Sequence, residues 1–383
     1  MKTDTFSPLA HIIRAQAALI LIASLAGCAF FEGSSKPKPA QLQPVNGFVS
    51  AKQAWVSRIG PVTFALDVAS VGGVLHMAGS DGTVAAIDSR TGADVWRTNV
   101  GSGLSAGVGS DGKVSAVVTE GNEVVALVAG REIWRQKLNA EVYTAPLVAG
   151  GRVFVLAADR SSQAFDGQTG RKLWTQQRPT EPLVLRQAGV LMAVNDTLVA
   201  GLAGRLVGLN PGNGSIRWEV AIASPRGIND VERLVDLVAG VSRDGDVVCA
   251  RAFQANVGCV NTARGNLIWT APANGSQGVR GDERLLFGTE ADGTVQAWLR
   301  ADGTRAWKSE ALRYRGLSAP VVIGRSIAVG DFSGIVHLLS RTDGTLLNRV
   351  STDGSAIAAA PLLAGNTLIA VTRNGGVYGF VPE

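Results

Sequence analysis

The sequence predicts an all-β fold: an eight-bladed β-propeller of four-stranded antiparallel blades, its ring closed by the N-terminal strand joining the C-terminal hairpin. Three observations predict it. A glycine four residues before a tryptophan recurs as Gly92/Trp96, Gly130/Trp134, Gly170/Trp174, Gly214/Trp218, Gly265/Trp269 and Gly303/Trp307, with Gly344/Asn348 as a seventh copy that lacks the indole. Counting from Trp55, successive slots lie 41, 38, 40, 44, 51, 38 and 41 residues apart, and a period near 40 belongs to solenoids and propellers. Each end of the chain carries half a repeat. Trp55 sits on a strand with no hairpin before it, and the hairpin over residues 358–380 runs out of chain before its outer strand. Joining the halves completes an eighth blade and removes the edges that an open array would expose.

The first 27 residues read as a targeting segment and are excluded from fold reasoning. Lys2 and Arg14 precede an uncharged apolar run over residues 15–27, which is shorter than the roughly 20 residues of a membrane span. The run ends Leu25-Ala26-Gly27-Cys28, which resembles a bacterial lipobox, so Cys28 is expected to be acylated and to become the new N-terminus. Several acyl chains anchor a protein durably where one does not. An ordinary signal peptide that contains a cysteine is the alternative. Ala29, rather than Asp, at the next position is similar to the pattern for sorting to the outer membrane. Residues 28–46, rich in Pro, Ser and Gln, read as acylated Cys and flexible tether. Its last fifteen residues reach roughly 45 Å when extended.

The body, residues 47–383, reads as a single propeller domain. The third copy shows the unit best. A short strand at Thr144-Ala145-Pro146-Leu147-Val148 turns at Gly150-Gly151 into a Val- and Phe-rich strand. Gln163-Ala164-Phe165-Asp166 follows, and a Gly turn leads into Lys172-Leu173-Trp174-Thr175. Short β-branched runs between Gly-rich turns are hairpin signals. The repeated Gly permits a turn with positive φ. Asp88, Asp166 and Asn210, in the turn before it, suit bonding to their own backbone. Trp offers a flat surface to wedge between blades, with an N–H that needs a partner.

The pattern A-x-D-x-x-T-G-x-x-x-W, spelled by Ala86 to Trp96, resembles the PQQ-type propeller repeat of quinoprotein dehydrogenases and of non-enzymatic propellers. With the lipobox, the eight copies and the length, the chain resembles the BamB family of outer-membrane assembly-factor lipoproteins. That resemblance implies a non-enzymatic scaffold of the β-barrel assembly (BAM) machinery. Its implied partners are the POTRA region of BamA, other BAM complex subunits and unfolded outer-membrane protein clients. Pro182-Leu183-Val184-Leu185-Arg186 is similar to the family's L-x-L-R loop, which implies Leu183, Leu185 and Arg186 as partner contacts. Arg233-Leu234-Val235-Asp236-Leu237-Val238 is similar to a second docking loop. Asp236 matches its first acid, and Val238 replaces the second. The longest repeat interval adds its length around residues 224–233, as expected of a protruding loop.

Other chemistries lack their parts. The net charge is +5, but basic residues are scattered, with no aromatic-basic pattern for nucleic acid. A quinoprotein needs an axial Ca²⁺ site of oxygen ligands and a catalytic base, and no such set is assignable; no cofactor is expected. Of three histidines, His11 lies in the targeting segment, and His76 and His337 stand far apart without Cys partners, so no metal site is expected. Cys249 and Cys259 flank a hairpin turn centred near Gln254, at equal offsets. An exported protein favours a disulfide there, and two free buried thiols are the alternative. The rival functions are a periplasmic PQQ-dependent dehydrogenase-like quinoprotein and an interaction module of another envelope complex.

Overall fold

A computed structural model describes residues 37–45, 51–178, 183–225, 228–229 and 234–382. Cys28 lies outside the described residues, as do Pro182 and Arg233 and most of the 224–233 insertion. No helix occurs among the described residues, whose strands form eight four-stranded antiparallel sheets. Seven sheets are built from consecutive strands, over residues 69–99 (blade 1), 104–137, 147–176, 191–221, 237–272, 280–309 and 321–351 (blade 7). In blade 8 the N-terminal strand Ala51–Arg58 pairs with Gly376–Pro382, the last strand of the chain, so the two ends close the ring.

Burial follows from this arrangement. The second and third strands of each blade are apolar and almost fully buried, as in Val153-Phe154-Val155. The fourth strand is the outermost and alternates toward solvent, as in Asp94–Asn99. Among the described residues there are eight apolar clusters, each shared by two neighbouring blades. One joins Trp134 and Val118 to Val153 and Phe165, and another joins Trp55 and Ile369 to Leu75 and Ile87 across the ring closure. Stability therefore resides in blade-to-blade contacts as well as within sheets.

Trp and Gly of the repeat are two halves of one contact. Each indole lies against the glycine turn of the following blade: Trp55 on Gly92, Trp96 on Gly130, Trp134 on Gly170, and so on to Trp307 on Gly344. Five indoles also donate to a backbone carbonyl of that turn, for example Trp134 to Gly167 at 3.0 Å and Trp269 to Arg300 at 2.7 Å. The turn is shaped by its Asp. The Asp88 carboxylate accepts the amides of Arg90 and Thr91 and the Thr91 hydroxyl, and those bonds hold its pKa below the ordinary value.

Cys249 and Cys259 stand directly opposite on adjacent strands of blade 5, both fully buried and joined by a disulfide, with Cα atoms 4.0 Å apart.

Candidate partner-binding face

Antiparallel blades give a propeller two different faces. Turns between the third and outer strands, which carry the repeated glycines, lie on one; here it is named the turn face. Crossovers from one blade to the next, with the loops between second and third strands, lie on the other, the crossover face. The residues expected to bind a partner lie in two successive crossovers, blade 3 to 4 and blade 4 to 5, and so share the crossover face.

One carboxylate joins the two crossovers. The Leu185 amide donates to Asp236 Oδ2 at 3.0 Å, and Arg160 Nη2 donates to Asp236 Oδ1 at 3.3 Å. Arg160 also donates to the Leu183 carbonyl at 3.2 Å. The Asp236 and Arg160 side chains keep only 17% and 9% of their surface, so the pair is shielded from solvent screening. Asp236 thus spends both oxygens inside the chain, fixing the Leu183–Arg186 backbone. Val238 is buried, and an isolated bridge ties it to Gly189 at the end of the first loop.

The fixed loop projects two side chains. Leu183 is 42% exposed, and Arg186 is exposed with its guanidinium 5.5 Å from the centre of the Tyr143 ring. Leu185 is half-buried and lines a small cavity beneath the loop with Arg160 and Asp236. Tyr143 donates its hydroxyl to Glu141; burial, then this carboxylate, raise its pKa above the ordinary phenol value. Arg186 and Tyr143 border a larger cavity of about 370 Å³, lined also by Phe64, Leu104, Glu120 and Glu141. Sequence reading missed Arg160 and Tyr143. Neither lies in a recognisable motif, and both matter through contacts made across blades.

Asp67, in the crossover into blade 1, is exposed and Arg280, at the start of blade 6, is half-buried, with protein packed around both. Burial raises the Asp67 carboxyl and lowers Arg280, and the charge of each opposes the shift of the other. Gln187 reaches from the blade 3 to 4 crossover to the Ser276 carbonyl, 2.6 Å away on the blade 5 to 6 crossover. Among the described residues no three His, Cys, Asp or Glu side chains gather as a metal site, and His76 and His337 are buried strand residues in blades 1 and 7.

The architecture has close sequence relatives. The family model described as "Outer membrane protein assembly factor BamB" matches residues 80–309. A protein of that name from Burkholderia pseudomallei is 38% identical, over 90% of this chain and 92% of its own. The chain belongs to the BamB family. Another BamB, from Bordetella pertussis, is 35% identical over 92% of this chain and 93% of its own. The crystal structure of BamB from Moraxella catarrhalis superposes with a TM-score of 0.79, covering 87% of this chain and all of that one, at 23% identity. At that identity the likeness speaks for the fold. Membership of the BamB family rests on the sequence matches.

Proposed function

We propose that this chain is an outer membrane protein assembly factor, a non-enzymatic scaffold lipoprotein of the β-barrel assembly machinery. Its loop at Leu183, Leu185 and Arg186 binds the POTRA region of BamA. Cys28, acylated, holds it to the periplasmic face of the outer membrane. Relatives that share more than a third of its residues over nine-tenths of its length carry the name outer membrane protein assembly factor. The observation that carries the site is the clamp of Asp236 on Leu185. It holds an apolar side chain, Leu183, and a stacked cation, Arg186, outward on one loop. Interfaces depend on a few such anchors, and a pre-ordered loop binds without a large ordering cost. In this reading Asp236 is a positioning residue, and Leu183 and Arg186 touch the partner.

Arg186→Glu tests the site. The variant is expected to keep the wild-type circular dichroism and melting temperature and to lose most BamA in co-purification. BamA recovery equal to wild type would overturn the assignment.

A further inference from the structure

The ring-closing strand begins on the face opposite the crossover loops. Ala51 pairs with Pro382, and Arg58 pairs with Gly376. Gly376 follows the loop between the second and third strands of blade 8, on the crossover face, so Ala51 lies at the turn-face end of the blade. A tether running straight from Ala51 would leave from the turn face and point the partner-binding loops away from the membrane.

The preceding residues reverse this. Ala40 donates its amide to the Arg313 carbonyl at 2.9 Å, and its carbonyl accepts from Arg315 Nη1 at 3.1 Å. Arg313 and Arg315 belong to the blade 6 to 7 crossover, on the crossover face. Leu42 packs on the apolar cluster between blades 6 and 7, beside Leu312 and Leu317. The Gln43 carbonyl accepts from Arg349 on the outer strand of blade 7. The anchorage is firm at its root. Arg315 is held by buried Asp331 through Nε at 2.8 Å and Nη2 at 2.7 Å, and it stacks on Phe332.

We propose that residues 39–43 are a strap that carries the anchored end of the chain up the side of blade 7 to the crossover face, and so turns the partner-binding loops toward the membrane. The proposal rests on the reading of Cys28 as the lipid anchor. With the strap docked, the eleven residues from Cys28 to Lys38 span at most about 38 Å. Without it, the 23 residues from Cys28 to Ser50 span about 80 Å and leave from the opposite face. The strap thus fixes orientation and halves the free reach, and it acts through contacts of its own backbone and of Leu42.

Two labels on one blade test this. Gln254 lies in a crossover-face loop of blade 5 and Arg264 in its turn-face loop; both side chains are exposed. Strands of about six residues separate the faces by about 20 Å. Lipidated full-length protein bearing a donor dye at Gln254→Cys or Arg264→Cys is incorporated in vesicles containing an acceptor lipid. Energy transfer is expected to be about two-fold stronger from position 254, as a 20 Å difference in height permits. Leu42→Asp and Ala40→Pro change strap residues only, and each is expected to abolish or invert the difference. Equal transfer from both positions in the unaltered strap would overturn the proposal, as would a difference that survives both variants. If the protein does not float with vesicles at all, the lipid-anchor reading fails and takes the proposal with it. Vesicle binding without a face difference overturns the strap's role alone.

Discussion

The indole of Trp55 lies against Gly92 across the seam where the ring closes. A Cβ placed on Gly92 would fall 2.5 Å from Cε3 of the indole, and the indole N–H donates to the Ser89 carbonyl at 3.2 Å. The N-terminal strand is therefore held by its ladder to the last strand and, in addition, by the same contact that joins every other pair from blade 1 to blade 7.

That contact separates two reasons for a glycine. Gly92 and Gly150 both have positive φ, +72° and +57°, but Gly150 has open space where its Cβ would go. Gly150→Ala is expected to cost about 1 kcal/mol for the backbone alone. Gly92→Ala adds the overpacking of a buried contact, about 1–3 kcal/mol more. Urea unfolding of the two variants measures the difference, and equal losses would mean the indole is not tightly seated.

Asp236 makes a second separable prediction. Asp236→Ala leaves Arg160 as a poorly solvated cation without its carboxylate, which costs about 3 kcal/mol for a buried pair. It also frees the Leu185 amide. Hydrogen exchange at Leu185 should accelerate at least about ten-fold, equivalent to one lost hydrogen bond of about 1.4 kcal/mol. BamA capture should weaken with it. Unchanged exchange at Leu185 would show that Asp236 does not hold the loop.

The repeat made the fold legible from the sequence, because glycine and tryptophan are recognisable at any distance along the chain. Their shared cause was hidden, since it acts between blades. The copy at Asn348 shows this best. Tryptophans face a small residue on the neighbouring strand: Ala86 for Trp96, Ala164 for Trp174, Gly208 for Trp218, Gly379 for Trp55. Asn348 instead faces Leu338. In blade 8 the third strand, Gly376–Pro382, and the outer strand, Ala51–Arg58, are not consecutive along the chain, so no turn joins them and a tryptophan at 348 would have no glycine turn to cover. The missing indole was visible in the sequence, and its reason needed the ring. Leu183 and Arg186 could likewise be placed by motif. The bonds of Asp236 to Leu185 and Arg160 could not, because they join residues 51 and 76 positions apart. The strap was hidden for another reason: Ala40 and Gln43 bind through backbone atoms, which leave no side-chain signature.

The disulfide occupies a slot with its own size limit. Cys259 faces Trp269, where the other blades that carry the tryptophan place Ala or Gly. Closing a loop of this sequence separation stabilises by about 2.5–3 kcal/mol through the unfolded chain. Cys249→Ala with Cys259→Ala should fit the slot and lose about that amount, and reduction of the wild type should lose a similar amount. Melting the wild type with and without reductant beside the double variant checks this. A double variant as stable as the oxidised wild type would assign the bridge no role in stability.

Asp331 ties acid stability to the root of the strap. It is fully buried, which alone would raise its carboxyl. Hydrogen bonds from His337, the Ile335 amide and Arg315 outweigh the burial and hold it well below the ordinary carboxylate range. Because the folded value lies below the unfolded one, near 3.9, the unfolded chain takes up the proton first as pH falls. The stabilisation is complete above about pH 4–5 and is lost as the pH drops through the folded value. Asp331→Asn should therefore lower stability at pH 7 by about 3–5 kcal/mol, since it strips a buried cation of its counter-charge. The variant should also fall less steeply than wild type between pH 5 and about pH 2. Urea midpoints across that range decide it. Parallel acid limbs would show that Asp331 does not carry the linkage. Exchange at the Ala40 amide, followed in the same variant, should rise as Arg315 loses the partner that aims it at the strap.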